Sequence, residues 1–229
     1  MNRAFLSIGA RVLVLLALSG MSCLADSWRL PAREKYCSRN RQFCFEVTPK
    51  KLESQLKFFE DKSQGKENAG SPAGLKDNFC KGSLYKVGES KTRHVLWSKR
   101  LVNEVAPVSA LVSDSGDYVV TFDNWHSVGY GPDVVVIYGP GGKLITQRGL
   151  TDFLNRDELI RLDRSVSSIW WAGDEPQHYI EESAHVLVLI VVLGLKVNDE
   201  IFFHPGSKSE TRKIRIVLST GEILIGTKK

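Results

Sequence analysis

One short run of this chain, DNWH at residues 123–126, combines an acid, an amide, an indole and an imidazole directly after a predicted β-strand. A carboxylate and an imidazole so close in sequence can exchange a proton or orient one another, as general acid–base catalysis requires. Asp123 and His126 are therefore the candidate catalytic pair, and a secreted hydrolase is one function that they would serve. Functional residues are often found on loops at strand ends, which favours this position for a site.

The same segment carries the residue types of a binding surface. Trp125 and Tyr130 offer rings that can stack on a sugar or another flat ligand, while Asn124 and Asp133 offer hydrogen-bonding groups. We predict that the protein recognises a ligand through the 123–133 loop, which two glycines make either mobile or tightly bent. The structural alternative is that the acid and the amide cap a turn, the indole packs over a sheet edge and the imidazole bonds a carbonyl.

No established catalytic or metal-binding motif accompanies this loop. The sequence has no HExxH motif, Gly-rich phosphate loop or nucleophile elbow, and DSGD at 114–117 lacks the acid series of a calcium loop. We predict no cofactor, no metal site and no nucleic-acid partner, since no dense basic run is interleaved with aromatics. The expected partner is a small molecule or an envelope protein, and a homo-oligomer is an alternative assembly. A structural envelope protein with no small-molecule site is a further functional alternative.

A second aromatic cluster contains Trp170 and Trp171, with His178 and Tyr179 nearby in sequence. Adjacent residues of a strand face opposite sides, so we predict that one tryptophan belongs to the core and that the other is exposed. Large aromatics bury much area, which favours a packing role over partner binding for this cluster.

The N-terminus has the form of a secretory signal. Residues 1–25 contain basic residues, then a short apolar stretch and then small residues before a cleavage site; a retained N-terminal anchor is the alternative. The chain that remains, residues 26–229, is predicted to be one β-rich domain that is exported to the periplasm or the extracellular space. No later segment is long and apolar enough for a transmembrane helix.

Three cysteines follow the signal, Cys37, Cys44 and Cys80. Because an exported chain meets an oxidising environment, we predict one disulfide. Sequence alone leaves all three pairings open. The third cysteine is then either buried and inert or free for an intermolecular bond.

Charge is distributed unevenly along the chain. Residues 26–100 hold 17 Lys and Arg against 9 Asp and Glu, whereas residues 101–200 hold 6 against 15. The basic and acidic parts can attract one another within the fold, or they can present a basic face to an anionic surface. A mixed, solvated surface is the simplest interpretation.

Apolar alternation predicts a sheet protein. We predict a helix at 51–62, with Leu52, Leu56 and Phe59 as its apolar face. A flexible surface loop is predicted at 63–74. Short helical pieces are predicted within 150–162, where Asn155 and Glu158 resemble a capping box. The predicted strands are residues 43–47, 83–87, 94–101, 108–112, 118–123, 134–138, 143–146, 168–171, 179–180, 186–192, 201–203, 214–218 and 222–225.

The run VSDSGDYVVTFD at 112–123 has an acidic tight turn followed by an alternating strand. It resembles the turn-and-strand repeat of β-propellers of the TolB and YVTN kinds, and VVVIYGPGGKLI at 134–145 resembles the strand that closes such a blade. Residues 97–154 are similar to segments of exported bacterial proteins of uncharacterised function. The run IEESAHVLVLIV at 180–191 faintly repeats the first pattern.

The resemblance implies a mainly β fold of antiparallel, propeller-blade-like sheets with one or two short helices, and it implies no particular activity. A closed propeller needs at least about four blades of four strands, whereas this chain has room for about three. We therefore expect an incomplete propeller or an open sandwich, whose sheet edges are covered by helices or by a second chain.

Overall fold

The structure is a computed structural model that describes residues 29–173, 176–197, 200–202 and 209–224. The predicted signal at 1–25 lies outside the described residues. The described part of the chain forms three four-stranded antiparallel sheets, a two-stranded hairpin and two α-helices. The prediction of a mainly β fold is confirmed, and the three sheets do not close into a ring.

The first sheet is a meander of strands that pair in the order in which they occur. Its strands are β1 (Glu34–Cys37), β2 (Phe43–Thr48), β3 (Lys81–Val87) and β4 (Arg93–Arg100). The sequence analysis did not predict β1, which pairs with β2 and is largely exposed. One face of the sheet is apolar and buried, through residues such as Phe45, Leu84 and Trp97.

The helix α1 (Gln55–Ser63) connects β2 to β3 and begins later than predicted. Ser54 caps its first turn, because the serine side chain accepts a backbone N–H of that turn. The predicted apolar face was wrong: Leu56 and Phe59 are exposed, and Phe58 is fully buried instead. The buried face is set by tertiary packing, because Phe58 belongs to a small core with Trp125 and Ala69.

The second sheet is another meander, and it lies between the other two. Its strands are β5 (Ser109–Val112), β6 (Val119–Phe122), β7 (Val135–Tyr138) and β8 (Leu144–Arg148). Every residue of β6 and β7 is buried. Residues 109–148 are thus consecutive antiparallel strands, as the sequence predicts.

The two faces of this central sheet contribute to two different cores. Side chains alternate along a strand, so Val120 of β6 and Ile137 of β7 belong to one core, while Val119 and Val136 belong to the other. The second of these cores lies against the first sheet. The alternation predicted for residues 118–123 is confirmed.

The third sheet covers the remaining face of the central sheet, in the order β14-β13-β10-β9. The strands of this part of the chain are β9 (Tyr179–Glu181), β10 (Val186–Leu193), β11 (Leu195–Val197), β12 (Glu200–Phe202), β13 (Glu210–Val217) and β14 (Ile223–Leu224). Leu187, Leu189 and Ile216 pack with the central sheet in the larger core. The strands β11 and β12 form a separate hairpin.

The segment between the second and third sheets contains the helix α2 (Arg156–Ile160). Its capping box is confirmed, since Glu158 N donates to Asn155 Oδ1 at 3.0 Å and Asn155 N donates to Glu158 Oε2 at 2.9 Å. The strand predicted at 168–171 was wrong, because only a single bridge between Ile169 and Arg164 forms there.

A turn of the central sheet connects all three sheets at one end of the molecule. The carboxylate of Asp114 accepts from Asn40 N at 2.8 Å and from the guanidinium of Arg39 at 3.2 Å, in the turn of the first sheet. Asp114 N donates to Glu182 Oε1 at 2.8 Å, in the turn of the third sheet. The acidic turn predicted at 114–116 therefore also holds the neighbouring sheets in position.

The disulfide joins Cys37 and Cys44, which are directly opposed residues of β1 and β2. Cys80 is free and buried, and burial raises the pKa of its thiol to about 12. A protonated, enclosed thiol is a poor nucleophile, so the structure selects one of the three pairings and leaves an inert third cysteine.

We expect the Cys37→Ser/Cys44→Ser variant to lose about 2 kcal/mol of unfolding free energy, because a cross-link of this loop size restricts the unfolded chain. Urea denaturation with and without reductant measures the loss. Reductant should lower the stability of the wild type and of Cys80→Ala but leave the double serine variant unchanged. Equal effects of reductant on all three proteins would contradict the assignment.

Candidate functional site

Asp123 ends the strand β6 and organises the loop that follows it. Its backbone is left-handed, with φ of 55°, and asparagine and aspartate adopt this conformation more readily than most residues. Its Oδ1 accepts from Gly129 N at 2.7 Å, and its two carboxylate oxygens accept from Trp171 Nε1 at 3.2 and 3.1 Å. The side chain therefore closes the loop on itself and fixes it to the neighbouring tryptophan.

The carboxyl of Asp123 is buried, and no cation pairs with it among the described residues. Burial raises its pKa to about 7. The N–H donors of Gly129 and Trp171 lower the pKa but do not offset the burial, and the charge of Asp133 raises it slightly further. Such a carboxyl titrates in the neutral range.

Asn124 joins the loop to a second segment. Its Oδ1 accepts from Glu104 N at 3.1 Å, and its Nδ2 donates to the carboxylate of Asp133. Its carbonyl accepts from Ser127 N at 3.1 Å. The amide side chain is thus committed to intramolecular bonds, and Asn124 itself is buried.

Trp125 lies in a small core rather than on the surface, with 7% of its area exposed. Its ring packs against Phe58 of α1, with centroids 5.9 Å apart, and its Nε1 donates to the carbonyl of Arg29 at 2.6 Å. Leu52 and Ala69 belong to the same core. The 63–74 segment is therefore anchored at Ala69, and the indole is not available for stacking on a ligand at the surface.

His126 faces a different carboxylate from the one that its sequence neighbour suggested. Its Nε2 lies 3.6 Å from Glu104 Oε2, and Lys62 Nζ donates to the same oxygen at 3.0 Å. His126 and Lys62 together hold the pKa of Glu104 at about 2, against the effect of burial. The ring of His126 also packs against the ring of Phe58, with centroids 5.0 Å apart and the planes tilted by 45°.

The structure therefore gives Asp123 and His126 separate partners. The carboxyl of Asp123 binds Gly129 and Trp171, and no hydrogen bond joins it to His126 within the described ranges. Glu104, which the sequence analysis missed, is the carboxylate beside His126. Nothing local in the sequence indicates this contact, because the two residues belong to different loops and meet only through tertiary packing.

Tyr130 is the aromatic residue that the 123–133 loop exposes, with 40% of its area accessible. The loop is tightly bent on both sides of it, since Gly129 and Gly131 have φ of 74° and 88°. A Cβ on Gly129 would lie 2.6 Å from the carbonyl oxygen of Ile169, so only glycine fits there. The ring of Tyr130 is consequently exposed on a segment whose backbone is fixed on both sides.

Two open grooves flank Tyr130. One, of about 440 Å³, is bordered by polar side chains that include Glu104, His126, Asp133 and Gln147. The other, of about 580 Å³, is bordered by Asp152 and Arg164 and by the apolar residues Leu150, Leu159 and Ile169. Tyr130, Gly131 and Pro132 border both grooves.

The second aromatic cluster contacts the 123–133 loop through the bond from Trp171 to Asp123. Trp171 is 1% exposed and Trp170 is 39% exposed, which confirms that only one of the pair is core. The ring of His178 stacks on Trp171 with centroids 4.7 Å apart, and its Nδ1 accepts from Ile190 N at 3.1 Å. Burial lowers the pKa of His178 to about 4, so this imidazole is neutral at physiological pH.

Comparison of the chain with protein-family models, with curated proteins and with solved structures finds no match. Within the described ranges, no three His, Cys, Asp or Glu side chains come together as metal ligands would. Neither helix there has the length and apolar character that a bilayer span requires. The function must therefore be argued from the grooves and side chains themselves.

Replacement of Asp123 by asparagine is expected to change how stability depends on pH. A carboxyl whose pKa is higher in the folded than in the unfolded state adds to the unfolding free energy when it is protonated. This contribution is complete below the ordinary pKa of 3.8 and is lost as the pH rises to about 7. Asparagine does not ionise, and its single oxygen can keep the bonds from Gly129 and Trp171. The unfolding free energy of the variant minus that of the wild type should rise by roughly 4 kcal/mol between about pH 4 and pH 8.

Urea denaturation across this pH range measures the difference. His178 has the opposite slope, since stability from its neutral form is lost as pH falls from 6.5 to about 4, but this contribution cancels between the two proteins. Asp117→Asn removes an exposed carboxyl and is the matched control, whose difference should change little with pH. If the difference in unfolding free energy between Asp123→Asn and the wild type also stayed constant with pH, the prediction of a raised pKa for the buried carboxyl would be wrong.

Proposed function

We propose that the protein is an exported, β-rich binding module that recognises its ligand through the 123–133 loop. The observation that carries this proposal is the exposed ring of Tyr130, held between two grooves on a base that buried side chains fix in place. Binding sites commonly place an aromatic surface and a few polar groups on a rigid scaffold. Rigidity lowers the entropy that binding would otherwise cost.

The polar lining favours a ligand rich in hydroxyl groups. Glu104, Asp133 and Gln147 offer oxygen acceptors at the groove, and the flat face of Tyr130 suits the apolar face of a sugar ring. We therefore propose a saccharide or a related polyol as the ligand class.

Export is part of the same proposal. The disulfide between Cys37 and Cys44 is typical of proteins from an oxidising compartment. It supports the signal that the sequence predicts at residues 1–25.

We also propose that each four-stranded sheet is a propeller-blade-like unit. Each sheet is antiparallel; the first two are meanders, and the third has the β11–β12 hairpin inserted between β10 and β13. The first strands of the three sheets, β1, β5 and β9, border a common groove of about 360 Å³. In a propeller, such strands line the central channel. The hydrogen bonds that Asp114 makes to the turns of both neighbouring sheets support equivalent roles for the three hairpins.

The hydrolase that uses Asp123 and His126 is the weaker proposal. The carboxyl of Asp123 is enclosed and already accepts from Gly129 and Trp171, so it would have to break these bonds to act on a substrate. A purely structural role for the 123–133 loop agrees with the buried Trp125, but it gives no reason for the exposure of Tyr130.

A thermal-shift screen of the wild type against saccharides, peptides and divalent metals tests the binding proposal. A bound ligand at a hundredfold excess over its Kd stabilises the folded state by about 2.7 kcal/mol. We expect a saccharide to raise the melting temperature of the wild type and to have almost no effect on Tyr130→Ala, because the stacking face is gone.

Tyr179→Ala is the matched control for this experiment. Tyr179 is exposed to a similar degree, at 43%, and it borders neither of the grooves beside Tyr130. The control should keep the full shift. An equal shift in both variants, or no shift from any saccharide, would contradict the proposal.

A further inference from the structure

A third groove, of about 460 Å³, lies on the first sheet and shares no lining residue with the grooves beside Tyr130. Four cationic side chains line it: Lys35, Arg41, Lys91 and Arg93. No acidic side chain is among its lining residues. The disulfide forms part of its floor, so covalent geometry holds β1 and β2 together beneath the cations.

The carboxylates of this sheet leave most of that charge unneutralised. Residues 34–48 and 81–100 contain nine Lys and Arg but only three Glu. Glu46 pairs with Arg93 at 3.1 Å. The other three cations of the groove have no carboxylate partner within the described ranges, so mutual repulsion opposes their proximity unless an anion is present.

Two of the four cationic residues have a strained backbone conformation. Arg41 has φ of 60° and Lys91 has φ of 62°, a region that residues other than glycine seldom occupy. The turns that carry them are closed by backbone bonds, from Arg41 N to Ser38 O at 2.8 Å and from Gly88 N to Thr92 O at 2.9 Å. The two turns thus hold these side chains in fixed positions. Backbone strain of the kind seen at Arg41 and Lys91 often occurs at binding sites.

Arg93 is held in place on the other side of the groove. Its guanidinium lies 4.8 Å above the ring centroid of Tyr85, which is itself buried. A guanidinium stacked on a ring keeps N–H donors at its rim for a further partner. The fork geometry of these donors matches the oxygens of a phosphate.

We propose that this groove binds the phosphate groups of a phosphorylated ligand. Two arginines can each donate a pair of N–H groups to phosphate oxygens, and the two lysines add point charge. The groove has room for more than one phosphate, so a ligand with two linked phosphates would engage cations of both turns. This site is independent of the proposed saccharide groove beside Tyr130.

Calorimetric titration with inorganic pyrophosphate at physiological ionic strength, where exposed distant charges are screened, tests the proposal directly. We expect a Kd below about 1 mM for the wild type. The Arg41→Asn/Lys91→Asn variant should bind at least about tenfold more weakly, because it loses charge-assisted hydrogen bonds. Asparagine tolerates the left-handed backbone, and thermal unfolding verifies that the variant is folded.

The matched control is Lys81→Gln/Lys99→Gln. It removes the same charge from exposed positions of the same sheet that do not line the groove. It should weaken binding by less than about twofold, as screened surface charges do. Equal weakening by both double variants would overturn the site, since it would reveal only diffuse attraction.

A second arm distinguishes a free ligand from a lipid headgroup. Sedimentation is measured with vesicles of phosphatidylcholine that contain phosphatidic acid, for the same three proteins. Binding to the vesicles without binding of pyrophosphate, again lost in the Arg41→Asn/Lys91→Asn variant, would assign the groove to a phosphorylated headgroup. Absence of binding in both arms would overturn the proposal.

Discussion

The structure depends on a central sheet that must be covered on both faces. The strands β6 and β7 have no exposed residue, and their alternate side chains belong to two separate cores. Each buried aliphatic side chain stabilises the fold by about 1.5–3 kcal/mol relative to exposure. The first and third sheets are therefore held in place as the two layers that remove this sheet from water.

The same burial imposes a demand on every polar group that enters the central layer. A buried polar atom without a partner costs free energy, and Thr121 of β6 meets this demand with fixed bonds. Thr121 donates to Asn103 at 2.9 Å, and Asn103 donates to the carbonyl of Asp123 at 2.8 Å. The chain that leaves β6 is thus rigid before it reaches the surface, which is why Tyr130 is presented from a fixed base.

The two candidate binding surfaces differ in charge because they arise from different parts of the chain. The basic N-terminal part forms the first sheet and its cation-lined groove, whereas the acidic middle part supplies Asp133 and Glu104 beside Tyr130. The uneven charge along the sequence is partly neutralised within the fold, as in the contact of Arg39 with Asp114. The charge that remains makes the groove of the first sheet cationic, whereas the groove beside Tyr130 is bordered by carboxylates.

Local patterns in the sequence determined the strand alternation in 118–123, the acidic turn at 114–116 and the capping box of Asn155 with Glu158. These features depend on residues a few positions apart, so the sequence contains all of their partners. Distant contacts decided the rest. The cysteine pairing, the buried face of α1, the bond between Asp123 and Trp171 and the position of Glu104 beside His126 each need a partner that only packing brings near. Sequence spacing cannot rank such contacts, because a folded chain places residues next to one another according to how its layers pack.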